Sequence, residues 1–138
     1  MISQTTRYGF GVTLAMPYEE ATRRTREALA AEGFGVLTEI DVAATLKKKL
    51  DVDFRPYVIL GACNPPLAHR ALSAERDIGL LLPCNVIVYA GDAEGTSVVA
   101  AMDPVEALSL TGRTDIAELA SEVKARLHRA LASLETAR

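Results

Sequence analysis

The sequence predicts an α+β domain: a curved antiparallel sheet of five strands backed by two long helices, with short helical insertions. Three observations carry this. Two stretches, one after Pro17 and one from Asp115 to the C-terminus, repeat apolar residues at helical spacing. Between them lie short runs rich in Val, Ile, Tyr and Thr, bounded by glycine, proline and asparagine. These runs do not alternate with helices along the whole chain, which disfavours a doubly wound parallel sheet.

The chain has 138 residues, a length at which folding buries roughly 70% of the unfolded surface without help from disulfides or a structural metal. With no repeat, low-complexity tract or linker, residues 1–138 are expected to form a single domain. Apolar residues make up 49% and charged residues 24%, the balance of an ordinary globular protein. The net charge of −3, and the lack of aromatics interleaved with Lys or Arg clusters, leave no field for phosphates, so nucleic acid is not an expected partner. No apolar run reaches the roughly 18 residues of a membrane span, and the first residues lack the layout of a signal peptide. A cytoplasmic location without membrane attachment is expected, and there Cys63 and Cys84 should be reduced thiols.

In chain order, Thr6 to Leu14 is rich in Tyr, Phe, Val and Thr and carries Gly9 and Gly11, as a strand closely approached by other backbone would. It is expected at a sheet edge. Pro17 sits where a helix begins, Glu19 and Glu20 complement the positive end of its dipole, and Gly33 suits the left-handed residue after the last turn. The first helix is therefore placed from Pro17 to Glu32.

In the strand Phe34 to Ile40, the alternation puts Phe34, Val36, Thr38 and Ile40 on the better-buried face. Asp41 can cap a short helix with Val42, Leu46 and Leu50 inward and Lys47, Lys48 and Lys49 in solvent. Tyr57 to Cys63 is a continuous apolar strand. It stops at Asn64, a favoured helix cap, and Pro65, a favoured first helical residue, after which Leu67, Ala71 and Leu72 continue at helical spacing. Cys84 to Tyr89 and Thr96 to Met102 form a hairpin around Gly91 to Gly95. Asp115 and Glu118 have capping-box spacing, and Ile116, Leu119, Ala120, Val123, Leu127, Leu131 and Leu134 make the stripe of a long terminal helix.

Three segments carry a family resemblance: Gly33-Phe34-Gly35-Val36-Leu37-Thr38-Glu39-Ile40-Asp41, Ile59-Leu60-Gly61-Ala62-Cys63-Asn64-Pro65 and Leu81-Leu82-Pro83-Cys84-Asn85-Val86. In this order they resemble the bacterial and archaeal family filed as domain of unknown function 302. The resemblance implies a fold similar to one half of the TATA-binding protein, strand, helix, four strands and helix, and a homodimer. It implies no activity, since fold alone does not assign one.

The residues that concentrate chemistry are Cys63 and Cys84. One ends a strand and the other begins the next. If those strands are antiparallel neighbours, the two positions face each other, with Cα atoms roughly 5 Å apart, a span that a disulfide tolerates. Cys63 also precedes a helix start, where unpaired N–H groups favour a thiolate. His69, one turn into that helix, is the candidate base, and Asn64 and Asn85 offer neutral hydrogen bonds. The plainer alternative is that both thiols pack as small hydrophobes, because twenty intervening residues match neither a zinc knuckle nor a redox pair.

Three functions stay open on these residues. The first is a small-molecule-binding or sensing module whose pocket lies near the thiols, with Glu39, Asp41 and Tyr57 as polar lining. The second is a thiol enzyme or redox sensor, with Cys63 attacking, Cys84 resolving and His69 accepting the proton. The third is a metal or haem site, ranked last because Cys63, Cys84 and His69 leave a tetrahedral shell short of a ligand. No cofactor is identifiable, and no metal ligand is assigned. A homodimer is expected through the N-terminal strand, whose edge lacks Lys or Pro to guard it.

Overall fold

A computed structural model describes residues 1–136. The strands are β1 (Ser3–Thr6), β2 (Gly9–Leu14), β3 (Gly35–Asp41), β4 (Tyr57–Cys63), β5 (Cys84–Ala90) and β6 (Ser97–Met102). The helices are α1 (Tyr18–Ala31), α2 (Val42–Leu50), α3 (Pro65–Ala74), α4 (Pro104–Leu108) and α5 (Thr114–Thr136). All six strands form one open sheet in the order β1-β2-β6-β5-β4-β3, with every neighbouring pair antiparallel.

The alternation read from the sequence places one face of the sheet under the long helices. Phe10, Val12 and Leu14 of β2, Val58 and Leu60 of β4, Val86 and Val88 of β5, and Val99 of β6 are buried there. Helices α1 and α5 pack on each other and on this face, contributing Ala21 and Leu29 from α1 and Ile116, Leu127, Leu131 and Leu134 from α5. Burying each of these large side chains is worth roughly 1.5 to 3 kcal/mol, so this layer is the main source of stability. No helix among the described residues is long and apolar enough to cross a membrane.

Beginning at β2, the observed order is the expected strand, helix, four strands and helix. The sheet has six strands instead of five because the first segment breaks at Arg7–Tyr8 into a hairpin. Ser3-Gln4-Thr5-Thr6 is exposed on both faces and so lacks the apolar alternation that announces a strand. In consequence Gly9–Leu14 is not an edge strand, since β1 pairs with one side of it and β6 with the other. A Cβ on Gly11 would stand 2.5 Å from the Val99 carbonyl oxygen, so this glycine lets β6 come close.

Two further departures have local causes. A bulge between Val36 and Thr38 shifts the register of β3. Beyond it no face of β3 is buried, and Thr38 and Ile40 are exposed along with Leu37 and Glu39 instead of buried with Phe34. Asp41 does cap α2, accepting from the Ala44 N–H at 2.9 Å. That helix nevertheless buries no residue completely, and Leu50 is 66% exposed instead of inward. At the start of α5, Asp115 lies inside the first turn and pairs with Arg113, which replaces the expected capping box.

Gly33, with φ at +85°, ends α1 as expected.

Candidate functional site

The end of the sheet where β4 finishes and β5 begins borders a cavity of about 330 Å³. Its strand wall is Ala62, Cys63, Pro83 and Cys84; α3 adds Leu67, Ala68, Ala71 and Leu72; Leu108, Leu119 and Val123 close it from α4 and α5. Phe34, Leu37 and Thr38 line the side nearest β3. Apart from the two thiols, Thr38 and Asn64 are the polar side chains among these lining residues. Two of the four residues that α3 contributes are alanines, which project little into the space. The mouth is apolar as well: Leu37 is 67% exposed and Leu72 is 40% exposed.

Both cysteines are free and both line this cavity. They are not directly opposed, because the register pairs Cys84 with Ala62, and Cys63 pairs on its other side with Gly35. Cys63 is half-buried and Cys84 is buried. Removal from water pushes the Cys84 thiol up to about 11, with the neighbouring Cys63 adding to the shift. At neutral pH Cys84 is therefore a neutral thiol and a poor nucleophile.

The helix start beside Cys63 is closed to anions. Asn64 is its cap, and the carboxamide oxygen accepts from the Leu67 N–H at 3.4 Å. The two helical residues between them are Pro65 and Pro66, which have no N–H to offer, and the Ala68 N–H is bonded to the Asn64 carbonyl at 2.8 Å. The first turn thus spends its donors internally, and the thiolate-stabilising corner expected from the sequence is not built.

The remaining candidate residues disperse. His69 is exposed on α3 and lines a separate groove with Arg70 and Ser73, facing Asp115 of α5. Glu39 is exposed and ion-paired with Arg26, and Asp41 is occupied in capping α2. Asn85 and Tyr57 lie on the opposite face of the sheet, away from the helices. The cavity therefore gathers Cys63, Cys84 and Asn64, and leaves His69, Glu39, Asp41, Tyr57 and Asn85 outside it. Among the described residues, no three His, Cys, Asp or Glu side chains come together as a metal site. The apolar wall from α5 has no signal of its own in the sequence, because Leu119 and Val123 look like ordinary core positions there.

The sequence model described as "Domain of unknown function DUF302" matches residues 10–134. This chain belongs to that family. The DUF302 match starts within β2 and ends within α5, so β1 lies ahead of it. The chain is also similar to the uncharacterized conserved DUF302 protein from Bacillus stearothermophilus, known from its crystal structure. The identity is 30%, the likeness covers 94% of this chain and 100% of that one, and the TM-score is 0.86. No relative is found among curated proteins.

Proposed function

We propose that this DUF302 protein is a cytoplasmic small-molecule-binding or sensing module that takes a neutral, mainly apolar molecule into the Cys63–Cys84 cavity. The single observation that carries this reading is the cavity: about 330 Å³ of space with an almost wholly apolar lining and an apolar mouth. Its volume lies in the range typical of small-molecule sites, and filling it would return the contacts that an empty apolar space forgoes. Cys63, half-buried in the wall, is the side chain placed to sense the occupant, and Asn64 is the polar neighbour.

Native mass spectrometry of protein taken directly from cells tests this, together with displacement of an uncharged fluorescent apolar probe such as N-phenyl-1-naphthylamine. Ala68→Phe, on the half-buried wall of α3, should abolish probe binding while leaving the circular dichroism spectrum unchanged. Probe binding that is indifferent to this substitution would end the reading.

A thiol enzyme or sensor is less well supported by the same geometry. Cys63 is accessible, but Cys84 is sealed and protonated, and His69 lies in another groove. A homodimer through the N-terminal edge remains part of the proposal, with β1 as the edge. Among the described residues, the side of β1 turned away from β2 has no strand partner, which leaves it available to pair with a second copy. A monomer in sedimentation at micromolar concentration would remove this part of it.

A further inference from the structure

The opposite face of the sheet holds a second, unrelated feature. Among the described residues no helix lines the centre of this face, and across it lies a cleft of about 500 Å³ running from the β1–β2 turn to β4. Its floor is made of Ile87 and Ala100 on neighbouring strands, paired in register. Tyr8, from the turn, stands on one side; Tyr57 and Tyr89 stand on the other; Asn85 is at one end.

The wall formed by Tyr57 and Tyr89 is held in shape before anything binds. The two residues are directly paired across the ladder, and their rings stack with centroids 5.2 Å apart and planes 7° from parallel. Phe54 packs beside Tyr57 at 6.0 Å, and the Arg55 guanidinium lies over Tyr89 at 6.0 Å. Arg55 is itself anchored on the Ala90 carbonyl and the Asp92 carboxylate, each at 3.0 Å. The rings are therefore braced from outside the cleft.

Polarity then selects the ligand. None of the residues lining this cleft carries charge at neutral pH. Burial raises the Tyr57 phenol above its ordinary range, and Tyr89 and Tyr8 nearby raise it further, so this phenol remains a neutral hydrogen-bonding group. Among the described residues, no protein group hydrogen-bonds the three phenol oxygens or the Asn85 carboxamide. An apolar floor of small relief bounded by uncharged donors and acceptors suits a flat molecule with polar edges. It penalises a charged one, whose lost hydration nothing here replaces.

We propose that this face is a second binding site, for an uncharged heteroaromatic molecule lying on Ile87 and Ala100 with its edges hydrogen-bonded by Asn85 and the tyrosine hydroxyls. The site is independent of the Cys63 cavity, and either one stands without the other.

Nitrogen-15 NMR titrations of the full chain with adenine, caffeine and 4-quinazolinone test it, with benzoate as a charged control of similar size. Saturable shifts are expected at Asn85, Ile87, Tyr89 and Ala100 for at least one neutral probe, with benzoate at least tenfold weaker. Asn85→Leu and Tyr8→Ala alter exposed side chains, so the fold should survive, as circular dichroism would check. Each should weaken the bound probe by about threefold to tenfold, the size of one net hydrogen bond. Four results would overturn the proposal: no saturable shift on this face, benzoate binding equally well, no effect of either substitution, or a solution dimer whose second copy occludes these residues.

Discussion

Cys84 gives the protein an alkaline instability that Cys84→Ala should remove. The folded thiol titrates near 11, against 9.0 for the same group free of the fold. Below pH 9 both states hold the proton and the group contributes no pH dependence. Between pH 9 and 11 the unfolded chain releases it while the folded chain retains it, so stability falls as pH rises. At pH 10 the unfolded thiol is about nine-tenths ionised and the folded one about one-tenth. That difference corresponds to about 1 kcal/mol lost between pH 8 and pH 10. Tyr18 and Tyr57, also raised by burial, add losses of the same sign. They are common to both proteins and cancel in the difference. Urea unfolding at pH 8 and pH 10, with reductant present, measures it: wild type should lose about 1 kcal/mol more than Cys84→Ala over this interval. Equal losses in the two proteins would refute the claim that the fold keeps this thiol protonated.

Other expectations follow from packing. Asn64→Ala should cost about 1 kcal/mol in denaturant unfolding through loss of the α3 cap, and Asn64→Ser, a neutral cap, should recover part of it. Gly61→Ala should destabilise by about 1 to 3 kcal/mol, because the new Cβ would meet the Thr38 hydroxyl oxygen and stand 2.9 Å from the Pro83 ring; Thr38→Ala in the same chain should restore part of the loss in a thermal melt. Leu127→Ala, at a position with 0% exposure under the sheet, should cost about 2 to 5 kcal/mol by the same measurements.

What could be read from the sequence was whatever has a short-range cause. Asp41 and Asn64 as caps, Gly33 as the left-handed terminator and the Ile116-to-Leu134 stripe each depend on neighbours within a turn or two, and each is found in the fold. β1 was missed because a polar edge strand has no pattern of its own; its partner supplies it. The β3 bulge was missed because nothing in Leu37-Thr38 marks where an unpaired residue falls. The candidate site depended on a register, and a register is a property of two strands. Placing Cys84 opposite Ala62 instead of Cys63 kept the sulfurs beside one cavity. Asn85, next to Cys84 on the strand, faces the opposite side whatever the register, Tyr57 lines the cleft there, and His69 opens from α3 into another groove. The donor-poor start of α3, by contrast, is legible in Pro65-Pro66, two residues without an N–H.

That proline pair also bears on what the Cys63 cavity would admit. A long-chain acid or a phosphorylated lipid entering tail first would find no backbone amide in the first turn of α3 to receive its head, which would have to stay at the Leu37–Leu72 mouth in water. Molecules polar at one end would be held by the tail alone, whereas compact hydrocarbons would lose nothing by going fully inside.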